Sequence, residues 1–241
     1  MIFQSNEQYE REVLITQALQ SNRADGVLVS ISKTTQKFGH FKELMRNELP
    51  VVFFDRVCEE LEADRVTVDD FNGALNAVEY LIQTGCKRIA HFAAPQHLLI
   101  GYHRQRGYIS ALEKNGIEVD DNLIMKCDTI EEALEMTPKL MQQPSPPDAI
   151  FAVNDMTAAG TVNALKRMGY KIPDDVSVIG FTDGLVSTVT DPPLTTVSQH
   201  GYLIGKKATE ILLKRIGYLG DDYKIRNEVI KTELVVRGTT R

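Results

Sequence analysis

The feature that most constrains the fold is a strand–turn–helix unit that recurs along the chain, with polar residues at the strand exits. Each unit begins with a short apolar run, which is typical of a strand buried on both faces of a parallel sheet. Because ligands of open α/β sheets bind outside the carboxyl ends of the strands, polar residues there predict a site for a small polar molecule. No evident nucleophile or metal cluster lies beside them, so the pattern favours a sensor over a catalyst. The pairs that follow three of these runs are residues 55–56, 154–155 and 182–183.

The order of apolar runs and amphipathic stretches predicts an α/β protein with two Rossmann-like lobes and parallel sheets. The N-terminal lobe, which we expect to be incomplete, comprises residues 1–93 and 199–219, and the C-terminal lobe comprises residues 94–198 and 220–241. Consecutive prolines cannot continue a helix, so residues 192–197 are expected to form an extended crossing segment. Strands are expected at residues 1–4, 26–31, 51–54, 66–68, 88–93, 123–126, 149–153, 176–181 and 229–236. Helices are expected at residues 9–23, 38–47, 71–84, 102–114, 130–143, 156–168 and 202–215.

Composition limits the classes of function. The net charge of -6 argues against a nucleic-acid-binding surface in this segment, because phosphate contacts require clustered lysine and arginine. The three cysteines, Cys58, Cys86 and Cys127, are far apart and odd in number, which indicates reduced thiols and a cytoplasmic location. No apolar run approaches the about 20 residues that a membrane span needs, and the N-terminus does not resemble a signal peptide. We therefore expect no membrane association.

Motifs for cofactors and catalysis are missing from the sequence. There is no glycine-rich dinucleotide fingerprint, no phosphate-binding loop of the Walker type and no His-Glu-x-x-His zinc motif. Ser177 and Ser198 lack the flanking glycines of a hydrolase nucleophile elbow. We therefore expect a protein that is not an enzyme and that uses no cofactor and no metal.

Several segments, in this order and spacing, together resemble one family over nearly the whole chain. Each segment is weakly specific by itself, but the combination is specific. The family is that of the lactose-repressor-type (LacI family) bacterial transcription regulators, and the resemblance is to their effector-binding region. The segments are DGVLV (25–29), PVVFFDR (50–56), DDFNGA (69–74), GCKRIA (85–90), RQRGY (104–108), PDAIFAVND (147–155), IPDDVSVIGF (172–181) and PLTTV (193–197).

This resemblance implies a periplasmic-binding-protein-like fold of type I, with a ligand cleft between the two lobes. It further implies a small-molecule effector such as a sugar, a homodimer, and operator DNA bound only through a helix-turn-helix module absent from this chain. Arg104 matches the family's arginine that holds effector hydroxyls or a carboxylate. Asp55 matches its acidic residue after the Phe-Phe strand, and Asn154 matches its amide. These groups suit sugars, whose hydroxyls donate and accept hydrogen bonds at once.

Position at a strand exit or helix start adds further candidates and leaves alternatives open. Arg104 is either a ligand contact or a helix-surface cation near Glu113. Asp55 and Arg56 either contact ligand, pair with each other or cap the next turn, and Asp155 is expected to be a helix N-cap rather than a ligand contact. Small hydroxyls at strand ends often satisfy only local backbone. The candidate ligand-binding residues are Ser5, Ser30, Asp55, Arg56, Arg104, Asn154, Thr182 and Asp183.

The chain departs from the family pattern in two places. The family usually has an aspartate directly after the Gly-aromatic pair, whereas here Thr182 follows Phe181 and Asp183 comes one position late. The identity of the effector therefore cannot be inherited. Met1 also aligns with the family's second strand, so we expect a fragment or a late start that omits the helix-turn-helix and the first strand and helix. Two rival interpretations are a secreted sugar-binding protein of a transporter and a sugar-modifying enzyme.

Overall fold

The computed structural model describes residues 1–218 and 222–241, and it divides the chain into two compact units. The first unit comprises Met1–Val68 and Gly201–Ile230, and the second comprises Asp69–His200 and Lys231–Arg241. The strands are β1 (Val27–Val29), β2 (Val51–Phe54), β3 (Asp64–Val68), β4 (Ile89–Ala93), β5 (Ile124–Lys126), β6 (Ala149–Ala152), β7 (Ser177–Thr182), β8 (Thr195–Ser198), β9 (Asn227–Ile230) and β10 (Glu233–Val235). The helices are α1 (Tyr9–Ser21), α2 (Gly39–Arg46), α3 (Asp70–Gln83), α4 (Leu99–Lys114), α5 (Ile130–Met141), α6 (Asp155–Arg167), α7 (Leu185–Val189) and α8 (Gly201–Ile216).

The first unit is built on a parallel sheet in the order β1-β2-β3-β9. Helix α8 packs on β1, β2 and β3, and it buries Ile204, Ala208 and Ile211, which recur at helical spacing. Phe53 in β2 is fully buried and meets Phe41 of α2 edge to face, with ring centroids 5.3 Å apart. Burial of each such side chain stabilises the fold by about 1.5–3 kcal/mol.

The second unit contains a larger sheet in the order β10-β8-β7-β6-β4-β5. All neighbours in it are parallel except β10, which runs antiparallel to β8. Helix α3 packs on α4, and α5 packs on α6. The predicted α/β class with parallel sheets is therefore confirmed. Across the described ranges, none of the helices combines the length and the apolar character that crossing a membrane requires.

The two units divide the chain at other positions than the predicted lobes. The predicted boundary near residue 93 assigned β4 to the N-terminal lobe, but β4 pairs with β5 and β6 and so belongs to the second unit. The chain returns to the first unit at His200–Gly201, close to the predicted change of lobe at residues 198–199. It passes back to the second unit after Ile230, whereas the predicted change of lobe follows residue 219. Residues 219–221, where the predicted lobes meet, lie outside the described residues.

Two predicted strands and the predicted crossing segment differ from the structure. Residues 229–236 are not one strand, because β9 pairs with β3 in the first sheet while β10 pairs with β8 in the second. The crossing segment 192–197 becomes β8 in its second half, where it pairs with β7. Residues 1–4 form no strand. Met1, Ile2 and Phe3 instead line, together with β1, a cavity of about 560 Å³.

Two glycines allow close helix packing in the second unit. A Cβ atom on Gly107 of α4 would overlap the Phe71 carbonyl oxygen and lie 2.8 Å from the Ala74 Cβ. A Cβ on Gly160 of α6 would lie 2.8 Å from the Ile130 carbonyl oxygen. These contacts explain why both helix pairs contain glycine where alanine is the better helix former.

We expect Gly107→Ala to lower the free energy of unfolding by about 1–3 kcal/mol, because the overlap outweighs the gain in helix propensity. The matched control is Gly205→Ala on α8, where an added Cβ meets nothing within 4 Å. That substitution should raise the free energy of unfolding by roughly 0.5–1 kcal/mol. Urea denaturation measures both changes, and equal effects of the same sign would refute the packing argument.

Candidate ligand-binding site

In the first unit, Arg56, which follows β2, forms an ion pair with Glu7. Arg56 donates two hydrogen bonds to the Glu7 carboxylate, at 2.6 and 2.8 Å. Glu7 also accepts the Lys33 amide at 2.7 Å. Burial alone would raise the pKa of Glu7, but the hydrogen bonds and charges of Arg56 and Lys33 outweigh it, and the pKa is lowered. Arg56 therefore has Glu7 as a hydrogen-bonding partner, which was not among the alternatives left open for it.

The buried carboxylate of Glu12 fixes the loop after β1. It accepts the Ser32 amide at 2.6 Å, the Thr35 hydroxyl at 2.7 Å, and lies 2.9 Å from His40 Nε2. The Ser32 hydroxyl in turn donates to Ser5 Oγ at 2.6 Å. The predicted residues Ser5, Ser30, Asp55 and Arg56 therefore lie on connected loops at the carboxyl ends of β1 and β2.

Arg104 is buried within the second unit, with 3% of its surface exposed. Its Nε and Nη2 atoms each lie 2.7 Å from Asp70 Oδ1, and Nη1 donates to the Val153 carbonyl at 2.6 Å. The guanidinium carbon lies 3.7 Å from the centroid of the Phe181 ring. The alternative of a helix-surface cation near Glu113 is therefore wrong. Arg104 therefore connects α4 to Asp70 at the start of α3 and to Val153, which follows β6.

Asn154 and Asp155 follow β6, and the N-cap role expected of Asp155 belongs to Asn154. Asn154 is the N-cap of α6, since its side chain accepts the Thr157 amide at 2.8 Å and donates to the Asp128 carbonyl at 3.0 Å. The prediction that Asp155 caps this helix is wrong. Asp155 instead accepts the Gly184 amide and the Thr196 hydroxyl. Its pKa is raised, first by burial and then by the charge of Asp183.

Thr182 is the last residue of β7, and Asp183 follows it at the carboxyl end of this strand. Asp183 forms an ion pair with Arg237 at 2.6 Å, and Ser187 lies within hydrogen-bonding distance of it at 3.2 Å. The Thr182 side chain is exposed, while its carbonyl accepts the Gln199 amide at 3.3 Å. The predicted residues Arg104, Asn154, Thr182 and Asp183 thus all belong to the second unit, Arg104 on α4 and the others at the ends of β6 and β7.

Unusual backbone conformations concentrate at these strand exits. Positive φ is uncommon outside glycine, and for a β-branched residue such as Thr182 it is an outlier that is often associated with functional sites. The residues concerned are Asn6 (51°), Glu7 (61°), Asp55 (58°), Thr182 (139°), Asp183 (61°) and His200 (52°). Among the candidate residues, Thr182 is therefore held in a backbone conformation that its side chain disfavours, whereas aspartate at positions 55 and 183 tolerates positive φ.

Sequence reasoning missed the partners of the candidate residues. Asp70, the partner of Arg104, directly follows Asp69, the N-cap of α3, whose side chain accepts the Asn72 amide at 3.1 Å. Glu7 lies two residues after the candidate Ser5, which was an available signal, whereas the position of Arg237 in the sequence carried no such signal. Within residues 1–218 and 222–241, no three His, Cys, Asp or Glu side chains are grouped closely enough to hold a metal ion.

Comparisons with known proteins agree with this architecture. Residues 78–240 match the family model of the periplasmic binding protein-like domain. The HTH-type transcriptional repressor CytR of Escherichia coli K12 is 34% identical over 235 residues, which cover 97% of this chain and 68% of that repressor.

Two solved structures share the fold over nearly the whole chain. One is a complex of the transcriptional regulator CelR with cellobiose, with a TM-score of 0.87 and 28% identity over 96% of this chain and 71% of that one. The other is a periplasmic binding protein/LacI transcriptional regulator from Alkaliphilus metalliredigens complexed with D-xylulofuranose, with a TM-score of 0.85 and 26% identity over 98% of this chain and 85% of that one. The chain therefore belongs to the LacI family of transcriptional regulators and corresponds to their periplasmic-binding-protein-like, effector-binding region.

Proposed function

We propose that this chain senses a sugar or a related small polar metabolite, which it binds with side chains at the carboxyl ends of its strands. The observation that carries the proposal is the grouping of polar side chains at the carboxyl ends of the strands in each unit, where α/β sheets bind ligands. The proposed contact residues are Ser5, Ser30, Asp55, Arg56, Arg104, Asn154, Thr182 and Asp183.

The chemistry of these groups supports a ligand rich in hydroxyls. Carboxylates such as Asp55 accept hydrogen bonds, the Asn154 amide both donates and accepts, and the exposed Thr182 hydroxyl does the same. The relatives crystallised with cellobiose and with D-xylulofuranose provide further support, because both of their ligands are sugars. Arg104 contributes chiefly by positioning the segments around it, because its guanidinium already donates hydrogen bonds to Asp70 and to the Val153 carbonyl.

The same proposal extends to the whole regulator. Ligand binding would favour one conformation of a cytoplasmic homodimer and so change its affinity for operator DNA, which a helix-turn-helix module would contact. The chain would act as a receptor and not as an enzyme. Its sensing function is thus separable from DNA binding and can be measured on the present chain.

Calorimetry with a panel of mono- and disaccharides tests the proposal. For a sugar that binds, Asp55→Asn and Thr182→Val should each weaken binding, with Asp55→Asn costing about tenfold or more because a hydrogen bond to a charged group is lost. Asparagine also tolerates the positive φ of position 55.

The matched control is Asp25→Asn, an exposed aspartate at the amino end of β1, which should leave affinity unchanged. Thermal unfolding of each variant verifies that the fold is intact. Unaltered affinity in both site variants, or no binding of any sugar in the panel, would refute the proposal.

A further inference from the structure

The charged side chains at the strand ends of the first unit are compensated within that unit. Glu7 accepts two hydrogen bonds from Arg56, and the charges of Arg56 and Lys33 both act on it. Asp55 adds a second carboxylate whose charge acts on Arg56. Two carboxylates therefore face two cations in this group, which leaves it without a surplus of positive charge.

The strand ends of the second unit show the same arrangement. Arg104 is paired with Asp70 at 2.7 Å, and Arg237 with Asp183 at 2.6 Å. Asp155 is an additional buried carboxylate close enough for the charge of Asp183 to act on it. Among these five side chains the carboxylates outnumber the guanidinium groups.

We propose that the site selects an uncharged, polyhydroxylated ligand and rejects phosphorylated or carboxylated analogues of the same sugar. The inference rests on the proposed function and adds the charge class of the ligand. A phosphate ordinarily binds to guanidinium or ammonium groups that can turn their donors toward it. Here such a ligand would have to displace Glu7 or Asp183 from its arginine, and it would approach further carboxylates of like charge. A neutral hydroxyl can donate to those carboxylate oxygens without breaking either pair.

Matched pairs of neutral and anionic probes test the inference by calorimetry. Suitable pairs are D-ribose with D-ribose 5-phosphate and a ribonucleoside with its 5′-monophosphate. We expect binding of a neutral member and at least about tenfold weaker binding of its anionic counterpart. An anion that binds as tightly as its neutral counterpart would overturn the charge inference while leaving the proposed function in place. Absence of binding by every probe would overturn both.

A charge-removing variant tests whether the internal pairs cause the selectivity. Glu7→Gln releases Arg56 from its carboxylate, so the preference for the neutral member should fall by about tenfold. The Glu7 side chain is half exposed, which favours an intact fold. The control is Glu10→Gln, the same substitution at an exposed position on α1, and it should leave the preference unchanged. If Glu7→Gln fails to fold, Asp183→Asn, which releases Arg237, provides the same readout. An unchanged preference in the folded variant would refute this origin of selectivity.

Discussion

Replacing Arg104 with methionine should lower the free energy of unfolding by about 3–5 kcal/mol, because the substitution leaves a buried carboxylate without its guanidinium. Asp70 is 6% exposed, so water cannot readily replace the lost partner. The Val153 carbonyl also loses a donor at 2.6 Å, and the Phe181 ring loses the cation stacked on it. Urea denaturation followed by circular dichroism measures the loss.

Two further variants show whether the loss of the buried ion pair causes the destabilisation in Arg104→Met. Arg106→Met makes the same substitution two residues later on α4 at an exposed position, and it should change the free energy of unfolding by less than about 0.5 kcal/mol. Adding Asp70→Asn to Arg104→Met removes the stranded charge and should restore part of the loss. Equal effects of Arg104→Met and Arg106→Met would show that the buried pair does not stabilise the unit.

Acidification should destabilise the protein through His91, the second large effect that we expect. His91 is fully buried in β4 between the rings of Tyr108 and Phe151, with centroids 5.1 and 5.0 Å away. Its Nδ1 lies 3.0 Å from the Phe151 carbonyl, and its Nε2 has no hydrogen-bond partner among the described residues. Burial is the main cause that lowers the pKa of His91 to about 4, and the charge of Arg104 acts in the same direction.

The direction of this pH effect on the free energy of unfolding follows from proton uptake by the unfolded chain. Between about pH 6.5 and 4 the unfolded chain binds a proton at this histidine and the folded chain does not. The stability contributed by neutral His91 is therefore fully present above pH 6.5 and is lost as the pH falls toward 4. At about 1.4 kcal/mol per pH unit, this loss amounts to roughly 3 kcal/mol.

A variant that cannot titrate isolates this contribution. His91→Asn keeps a donor for the Phe151 carbonyl, so its free energy of unfolding should depend less on pH than that of the parent over this interval. His103→Asn, on the partly exposed helix α4, should leave the pH dependence unchanged. Parallel pH profiles for the parent and His91→Asn would contradict the assignment.

Strands buried on both faces were the elements that the sequence predicted best. The uninterrupted apolar runs at 51–54 and 149–153 correspond to β2 and β6, because such runs are typical of strands buried on both faces of a parallel sheet. The run at 229–236 alternates, and an alternating run fits the edge of either sheet. Its division between β9 and β10 depends on pairing with β3 and β8, which are distant in sequence. No local pattern contains that information.

The candidate site shows the same limit. Position at strand ends was sufficient to select residues that the structure groups within each unit. It could not supply their ion-pair partners, which are separated by 34 residues for Arg104 and Asp70, 49 for Arg56 and Glu7, and 54 for Arg237 and Asp183. Such pairs are created by the topology of the sheets, and a single sequence does not reveal them.

The three passages of the chain between the units, at residues 68–69, 200–201 and 230–231, mean that neither unit is encoded by an uninterrupted stretch of gene. A clone of residues 69–200 would omit β10 and Thr239, whose hydroxyl accepts the Thr195 amide and donates to the Val178 carbonyl. The bare flank of β8 would then be open to pairing with another molecule, a common route to aggregation. Recombination can therefore exchange both units together more readily than either unit alone.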